Sequence, residues 1–127
     1  MTTNLKQEML AAMLLLSMPQ NSHWCNALDG FTVDANLDIP NDGYMVGTGE
    51  GETWFEDLTT EQTLAYVRSI WPLLQNPCNY LGAWQYDGKL CVEISENINC
   101  LPDAAKVGKE RQQIAVWDLA NHLEIVL

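Results

Sequence analysis

The chain has 127 residues, with 17 Asp and Glu against 6 Lys and Arg and a formal net charge of −11 at pH 7. A domain of that length buries roughly two thirds of the surface its unfolded chain exposes, and 47% apolar residues with five tryptophans exclude a wholly disordered chain. The shortage of cations excludes direct nucleic-acid binding, which draws its affinity from Lys and Arg that displace counterions, and points to a basic protein partner or to imitation of a polyanion.

The charge is placed unevenly. No Lys or Arg lies between Lys6 and Arg68, whereas ten carboxylates, from Glu8 to Glu61, do. One domain over residues 1–127 is expected, with an N-terminal helix to residue 19, an irregular acidic segment over 20–58 and a regular scaffold over 59–127.

Residues 3–18 read as a helix, capped by Thr2 or Thr3 and closed by Pro19. Its run from Met9 to Met18 is apolar on every side, yet too short to span a bilayer. Glu8 stands where a secretory leader carries positive charge and no small-x-small cleavage site follows, so a cytoplasmic protein that engages no membrane is expected. A helix apolar all round is buried or meets another chain: this one is expected over the protein's own sheet, with a homodimer seam through residues 3–18 as the alternative.

From Gln20 to Leu58 turn residues dominate, with short strand candidates at Phe31–Val33 and Tyr44–Val46. So long an irregular stretch is unusual in a compact domain and marks a functional or mobile segment.

Thr59-Thr60-Glu61-Gln62 is a capping box, and Leu64, Val67 and Trp71 recur at helical spacing until Pro72 perturbs the helix and Pro77 ends it. Tyr80–Tyr86 and Lys89–Ser95 are strands around Asp87-Gly88, the pair preferred in a type I′ turn. The implied register opposes 86 to 89, 84 to 91 and 82 to 93. It puts Leu81, Ala83, Leu90, Val92 and Ile94 on a core face and Tyr80, Trp84, Tyr86, Cys91 and Glu93 on the other. Pro102-Asp103 opens a second helix whose Ala104, Ala105 and Gly108 allow close approach to the sheet, with Lys106, Lys109 and Arg111 near its negative end. Ile114–Leu119 and Leu123–Leu127 are strands around an Ala120-Asn121-His122 turn. With Tyr44–Val46 leading, the order is β-α-β-β-α-β-β. The fold class is α+β with helices on one face of the sheet, the split-βαβ, ferredoxin-like arrangement being the candidate topology, plus the N-terminal apolar helix.

Cys25, Cys78, Cys91 and Cys100 form no C-x-x-C pair, so four free, mostly buried thiols are expected. Asp34-Ala35-Asn36-Leu37-Asp38 has the alternating oxygens of a calcium loop, but Ile39 stands where glycine is required and Met45 where the bidentate glutamate belongs, so a solvated acidic turn is expected. Gly47-Thr48-Gly49-Glu50-Gly51-Glu52 lacks the lysine of a phosphate cradle and reads as a flexible loop or wide turn, placed to dock a basic partner. His23-Trp24-Cys25 reads as local packing, since no positive neighbour activates the thiol, and His122 as an exposed turn residue. No metal, cofactor or catalytic residue is assigned. The aromatic hairpin face, Tyr80, Trp84 and Tyr86, is expected to be covered by the N-terminal helix or another chain.

The runs Tyr80-Leu81-Gly82-Ala83-Trp84, Asp87 to Ser95 and Gln113 to Leu119, with Gly43-Tyr44-Met45-Val46 upstream, resemble a group of small uncharacterised proteins of phages, prophages and other bacterial mobile elements. The likeness covers roughly residues 30–125. It implies a mobile-element setting and supplies no catalytic or cofactor residue. The function these readings favour is a non-catalytic interaction protein that binds a basic protein partner through its acidic front, as a polyanion mimic or inhibitor. Asp38, Asp42, Glu50, Glu52, Glu56 and Asp57 supply the attracting field and Trp54 or Phe55 the apolar anchor. The alternatives are a small-molecule-binding or catalytic domain with a pocket at Trp84, Tyr86, Glu93 and Trp54, and a structural homo-oligomer.

Overall fold

The computed structural model describes residues 5–18 and 30–127. Their order is α1 (Leu5–Leu16), β1 (Gly30–Val33), β2 (Tyr44–Gly47), β3 (Thr53–Phe55), α2 (Thr60–Leu74), β4 (Asn79–Tyr86), β5 (Lys89–Ile98), α3 (Leu101–Glu110), β6 (Ala115–Asp118) and β7 (Leu123–Val126). The result is an α+β fold with a seven-stranded antiparallel sheet among the described residues. Its strands run β1-β4-β5-β2-β6-β7, and β3 pairs with β5 off that path.

The β4–β5 hairpin is the frame. Asp87 and Gly88 both take positive φ, 52° and 75°, as a type I′ turn requires, and the pairs Tyr86–Lys89, Trp84–Cys91 and Gly82–Glu93 follow. Side chains alternate across a strand. Leu81, Leu90, Val92 and Ile94 therefore share one face, where all four are fully buried together with Leu10, Leu14 and Met18 of the N-terminal segment and Val67, Ile70 and Leu74 of α2.

The helices form for local reasons. Thr59 caps α2, its hydroxyl accepting from the Gln62 N–H at 3.1 Å while the Gln62 side chain accepts from the Thr59 N–H at 3.0 Å. The helix runs through Pro72, which falls in its last turn, and stops at Leu74, earlier than Pro77 alone would dictate. In α3 a Cβ at Gly108 would stand 2.6 Å from Leu127 and 3.2 Å from Val116. The glycine thus sets how closely α3 approaches β6 and the chain end. A second core of Val46, Ala104 and Val116 lies beneath it, on the face that also carries Val92 and Ile94. Arg111 Nη2 donates to Glu96 Oε1 at 2.7 Å and ties the end of α3 to β5.

α1 packs beside α2 on the aliphatic face, and Gln85 Nε2 donates to the Ser17 carbonyl at 2.9 Å. It is therefore not the cover of the aromatic face. Three further expectations are corrected. The acidic segment contains a strand, β3, because Thr53, Trp54 and Phe55 find the free edge of β5 beyond β2. The glycine loop between β2 and β3 is a wide bulge in one interrupted strand, since both strands lie along the same side of β5. Of the described thiols only Cys91 is buried, while Cys78 and Cys100 are exposed; Cys25, with His23 and Trp24, lies outside the described residues.

Candidate functional site

The face of the sheet opposite the helices carries the chemistry. Across β3, β5 and β4 runs a row Trp54–Cys91–Trp84, each a direct cross-strand neighbour of the next. Both indoles are exposed, Trp54 at 45% and Trp84 at 39%, whereas Cys91 between them is 1% exposed. Two residues along β5 comes Glu93, opposite Gly82, then Ser95, opposite Tyr80. Glu93 is 8% exposed, a carboxyl set into the sheet surface.

The bulge explains how that carboxyl is held. Thr48 donates to the Ile94 carbonyl twice, from its backbone N–H at 2.9 Å and from its hydroxyl at 2.8 Å. The Ile94 N–H returns a bond to the Glu50 carbonyl at 2.9 Å, and the Glu50 N–H donates to Thr48 Oγ1 at 3.1 Å. From the helical side Tyr66 O–H donates to the Gly51 carbonyl at 2.8 Å, with its ring edge-on to Phe55 at 5.4 Å. Gly49 and Gly51 take positive φ, 81° and 67°, where a side chain would be strained. The chain can therefore step out of the ladder and rejoin it, aiming the Gly49 N–H at the Glu93 carboxylate. Gly47 completes the seat. A Cβ there would stand 2.6 Å from Glu93 Oε1 and 2.7 Å from Gln113 Oε1, so the missing side chain is the space that the Glu93 carboxylate and the Gln113 amide occupy.

Burial and the charge of Glu52 raise the Glu93 pKa, and the hydrogen bond from Gly49 offsets part of that rise. Burial, then the charges of Glu93 and Glu52, push the Cys91 thiol up to about 12. A thiol so raised is protonated at neutral pH and is no nucleophile. Tyr66 is likewise raised, by burial first and then by Cys91 and Glu93, and stays a hydrogen-bond donor. Glu52 acts electrostatically on both Cys91 and Glu93, as its placement beside β3 on this face requires.

The residues expected to bind a partner are brought into two groups. Glu50, Glu52, Glu56 and Asp57 are exposed around the bulge and β3, and Lys89 Nζ meets Glu56 Oε1 at 3.4 Å. Asp38 and Asp42 are exposed at the other end of the sheet, where with Asp34 they raise the Tyr80 pKa, after burial as the largest cause. Of the two candidate anchors, Trp54 faces outward and Phe55 packs inward on the core. Of the residues expected to line a pocket, Trp84, Glu93 and Trp54 lie on one face of the sheet; the Tyr86 side chain lies outside the described set. Among the described residues, open depressions occur between α1 and α2 at Ala11, Leu15 and Leu64 and at Asp34, Asn36 and Leu74.

The Asp34–Asp38 turn is a closed loop. Asp34 Oδ1 accepts from the N–H groups of Asn36 at 2.9 Å and Asp38 at 3.0 Å, and Leu37 takes a positive φ of 65°. Its lead carboxylate is thereby turned onto its own backbone. Among the described residues no cluster of three His, Cys, Asp or Glu is placed to hold a metal ion, and no helix is long and apolar enough to cross a membrane.

Sequence reasoning named Glu93, Trp54 and Trp84, took Gly47 only as part of a glycine loop, and gave no role to Tyr66 and Gln113; these three residues seat the carboxyl and clamp the bulge. The alternation of Gly47, Gly49 and Gly51 was the available signal, since glycines every second residue beside strand formers suit a bulge as well as a loop. Comparison with known proteins finds no matching family model, curated protein or solved structure.

Proposed function

We propose that this chain is a small non-catalytic interaction protein that binds a basic protein partner through the exposed face around β3. One observation carries the reading: Glu50, Glu52, Glu56 and Asp57 lie exposed around an outward-facing Trp54. That is the arrangement of an apolar anchor inside a steering field. The clamped bulge supports it further, because carboxylates fixed on a hydrogen-bonded backbone lose little freedom on binding. A cytoplasmic, mobile-element protein that imitates a polyanion or inhibits its basic partner is the setting consistent with this chemistry. The strand order β4-β5-β2-β6 supports a split-βαβ, ferredoxin-like core for the scaffold.

A pocket for a small molecule at Trp54, Trp84 and Glu93 is the second reading, supported by their place on one face of the sheet. It has no thiolate to work with, because Cys91 is held protonated. A homodimer through residues 3–18 would have to use Leu5 and Met9, the large apolar side chains that α1 leaves exposed.

The test is the association rate of the full chain with decalysine at low salt, measured for two variants of equal net charge. Reversing Glu50, Glu52 and Glu56 to lysine is expected to slow association about tenfold, whereas reversing Glu61, Asp103 and Glu110, which are exposed on the helices, is expected to slow it far less. Equal slowing in both variants would mean that overall charge alone attracts the peptide, and the β3 face would lose its assignment.

A further inference from the structure

We propose that β7 is a self-association edge: two copies of the chain pair their β7 strands antiparallel about a two-fold axis beside Ile125, joining two sheets into one. The inference stands apart from the basic-partner reading, which concerns the face around β3.

The hydrogen-bond pattern shows which groups that edge offers. Among the described residues β7 pairs with β6 alone and ends the strand order. The Leu127 N–H donates to the Ile114 carbonyl at 2.9 Å, in step with the register that opposes Val116 to Ile125 and Asp118 to Leu123. Bonded and unbonded pairs alternate along an antiparallel ladder, so Leu123, Ile125 and Leu127 turn their backbone groups to β6. On the far side of β6 the Leu119 N–H donates to the Gly43 carbonyl at 3.1 Å, and by the same rule β6 turns its odd residues to β2 and its even ones to β7. The N–H and carbonyl groups of Glu124 and Val126 therefore point off the sheet. Exposed edges are commonly guarded by lysine, proline or a bulge; β7 runs Leu123-Glu124-Ile125-Val126 in unbroken register and has none of these.

Unpaired groups in a row select a strand as the occupant, and their spacing selects this strand. With Ile125 at the axis, Glu124 of each chain lies opposite Val126 of the other. Both pairs are of the bonding kind, which gives four hydrogen bonds. Sliding the strands until Glu124 meets its own copy would set like charges directly opposite each other, which is destabilising. In the two-fold register Leu123 meets Leu127 on the helix side, beside Ile125, where Ile125 and Leu127 already pack on the second core. Leu123 and Val126, 56% and 70% exposed, both gain cross-strand neighbours. Charge favours this end as well. Residues 101–127 set Lys106, Lys109 and Arg111 against Asp103, Glu110, Asp118 and Glu124, so two acidic chains meet here with little of the repulsion that the front half would bring.

The experiment is sedimentation equilibrium of the full chain at about 0.15 M salt, from about 5 µM to about 500 µM, with amide hydrogen exchange read over the same range. One strand pair buries little surface, so a weak dimer is expected in the upper part of that range, with exchange at Glu124 and Val126 slowing as it forms. Val126→Lys and Val126→Glu then test the register. Each places its charge opposite Glu124 of the other chain, so the lysine variant is expected to associate about tenfold more tightly than the glutamate variant. The same two substitutions at Leu5, exposed on α1, change the net charge equally and are expected to differ far less. A monomer mass throughout the range overturns the proposal, and so does a dimer that leaves exchange at Glu124 and Val126 unchanged. Equal association of the two Val126 variants removes the pairing with Glu124. A Leu5 pair that differs as much as the Val126 pair assigns the effect to overall charge or to the seam through residues 3–18. None of these outcomes touches the basic-partner reading.

Discussion

Glu93 is ionisable, is almost wholly withdrawn from water, and feels the negative charge of another carboxylate, Glu52. Its proton is consequently held more tightly in the folded chain than in the unfolded one. Between the ordinary carboxylate range and the raised value, the native state binds more protons than the unfolded state, so stability falls as pH rises through that window. Glu93→Gln removes this term and keeps a carbonyl oxygen to accept from the Gly49 N–H. The variant is expected to melt a few degrees above the native chain at pH 7, with the gap closing as pH drops below the carboxylate range. Thermal melts at several pH values measure it; a variant that melts lower at every pH would mean that the anion, not the seat, is what the fold requires. Glu52→Gln is expected to recover part of the same gain, and the two should not add, because they relieve one repulsion.

At the scale of elements, the interrupted strand of β2, bulge and β3 is held by ladder pairing at its two ends and at its middle by the fixings between Thr48, Ile94, Glu50 and Tyr66. Tyr66→Phe deletes the donor to the Gly51 carbonyl while leaving the ring against Phe55. The expected cost is about 1 kcal/mol, the usual net worth of one such bond, with faster amide exchange at Ile94, whose N–H is bonded to Glu50 inside the bulge. Unchanged exchange there would mean that Tyr66 is a packing residue only. This element also marks where the sequence stops being legible. The hairpin could be written down residue by residue, because Asp87-Gly88 fixes the turn and the turn fixes the register. The capping box at Thr59 and the small residues of α3 were equally direct, each being a local rule satisfied locally. β3 was not legible, since three residues carry no period and their pairing depends on the half of β5 that β2 leaves open. The seat of Glu93 was legible only in part: alternation put it on the aromatic face, but Gly47 and Gln113 meet it through tertiary contact, which no spacing along the chain encodes.

For the molecule as a whole the governing quantity is the net charge of −11. Arg111 is spent at close range on Glu96 and Lys89 on Glu56, while Glu50, Glu52 and Asp57 around β3 and Asp38 and Asp42 on the β1–β2 connection stay exposed. Self-repulsion of that size disfavours the compact state, and raising ionic strength to about 0.15 M shortens its range to about 8 Å. The melting temperature is therefore expected to rise with added sodium chloride from low ionic strength, most steeply below about 0.1 M. Reversal of Glu50, Glu52 and Glu56 to lysine should flatten that rise, because it removes repulsion where the carboxylates are most crowded. The same substitutions that slow capture of a basic peptide should thus raise stability at low salt. That opposition separates a surface kept for a partner from one kept for folding: carboxylates serving the fold would lower the melting temperature when reversed. Salt-dependent melts of the native and triply reversed chains decide it, and a native chain whose melting temperature ignores salt would show that the acidic front exerts no field worth steering by.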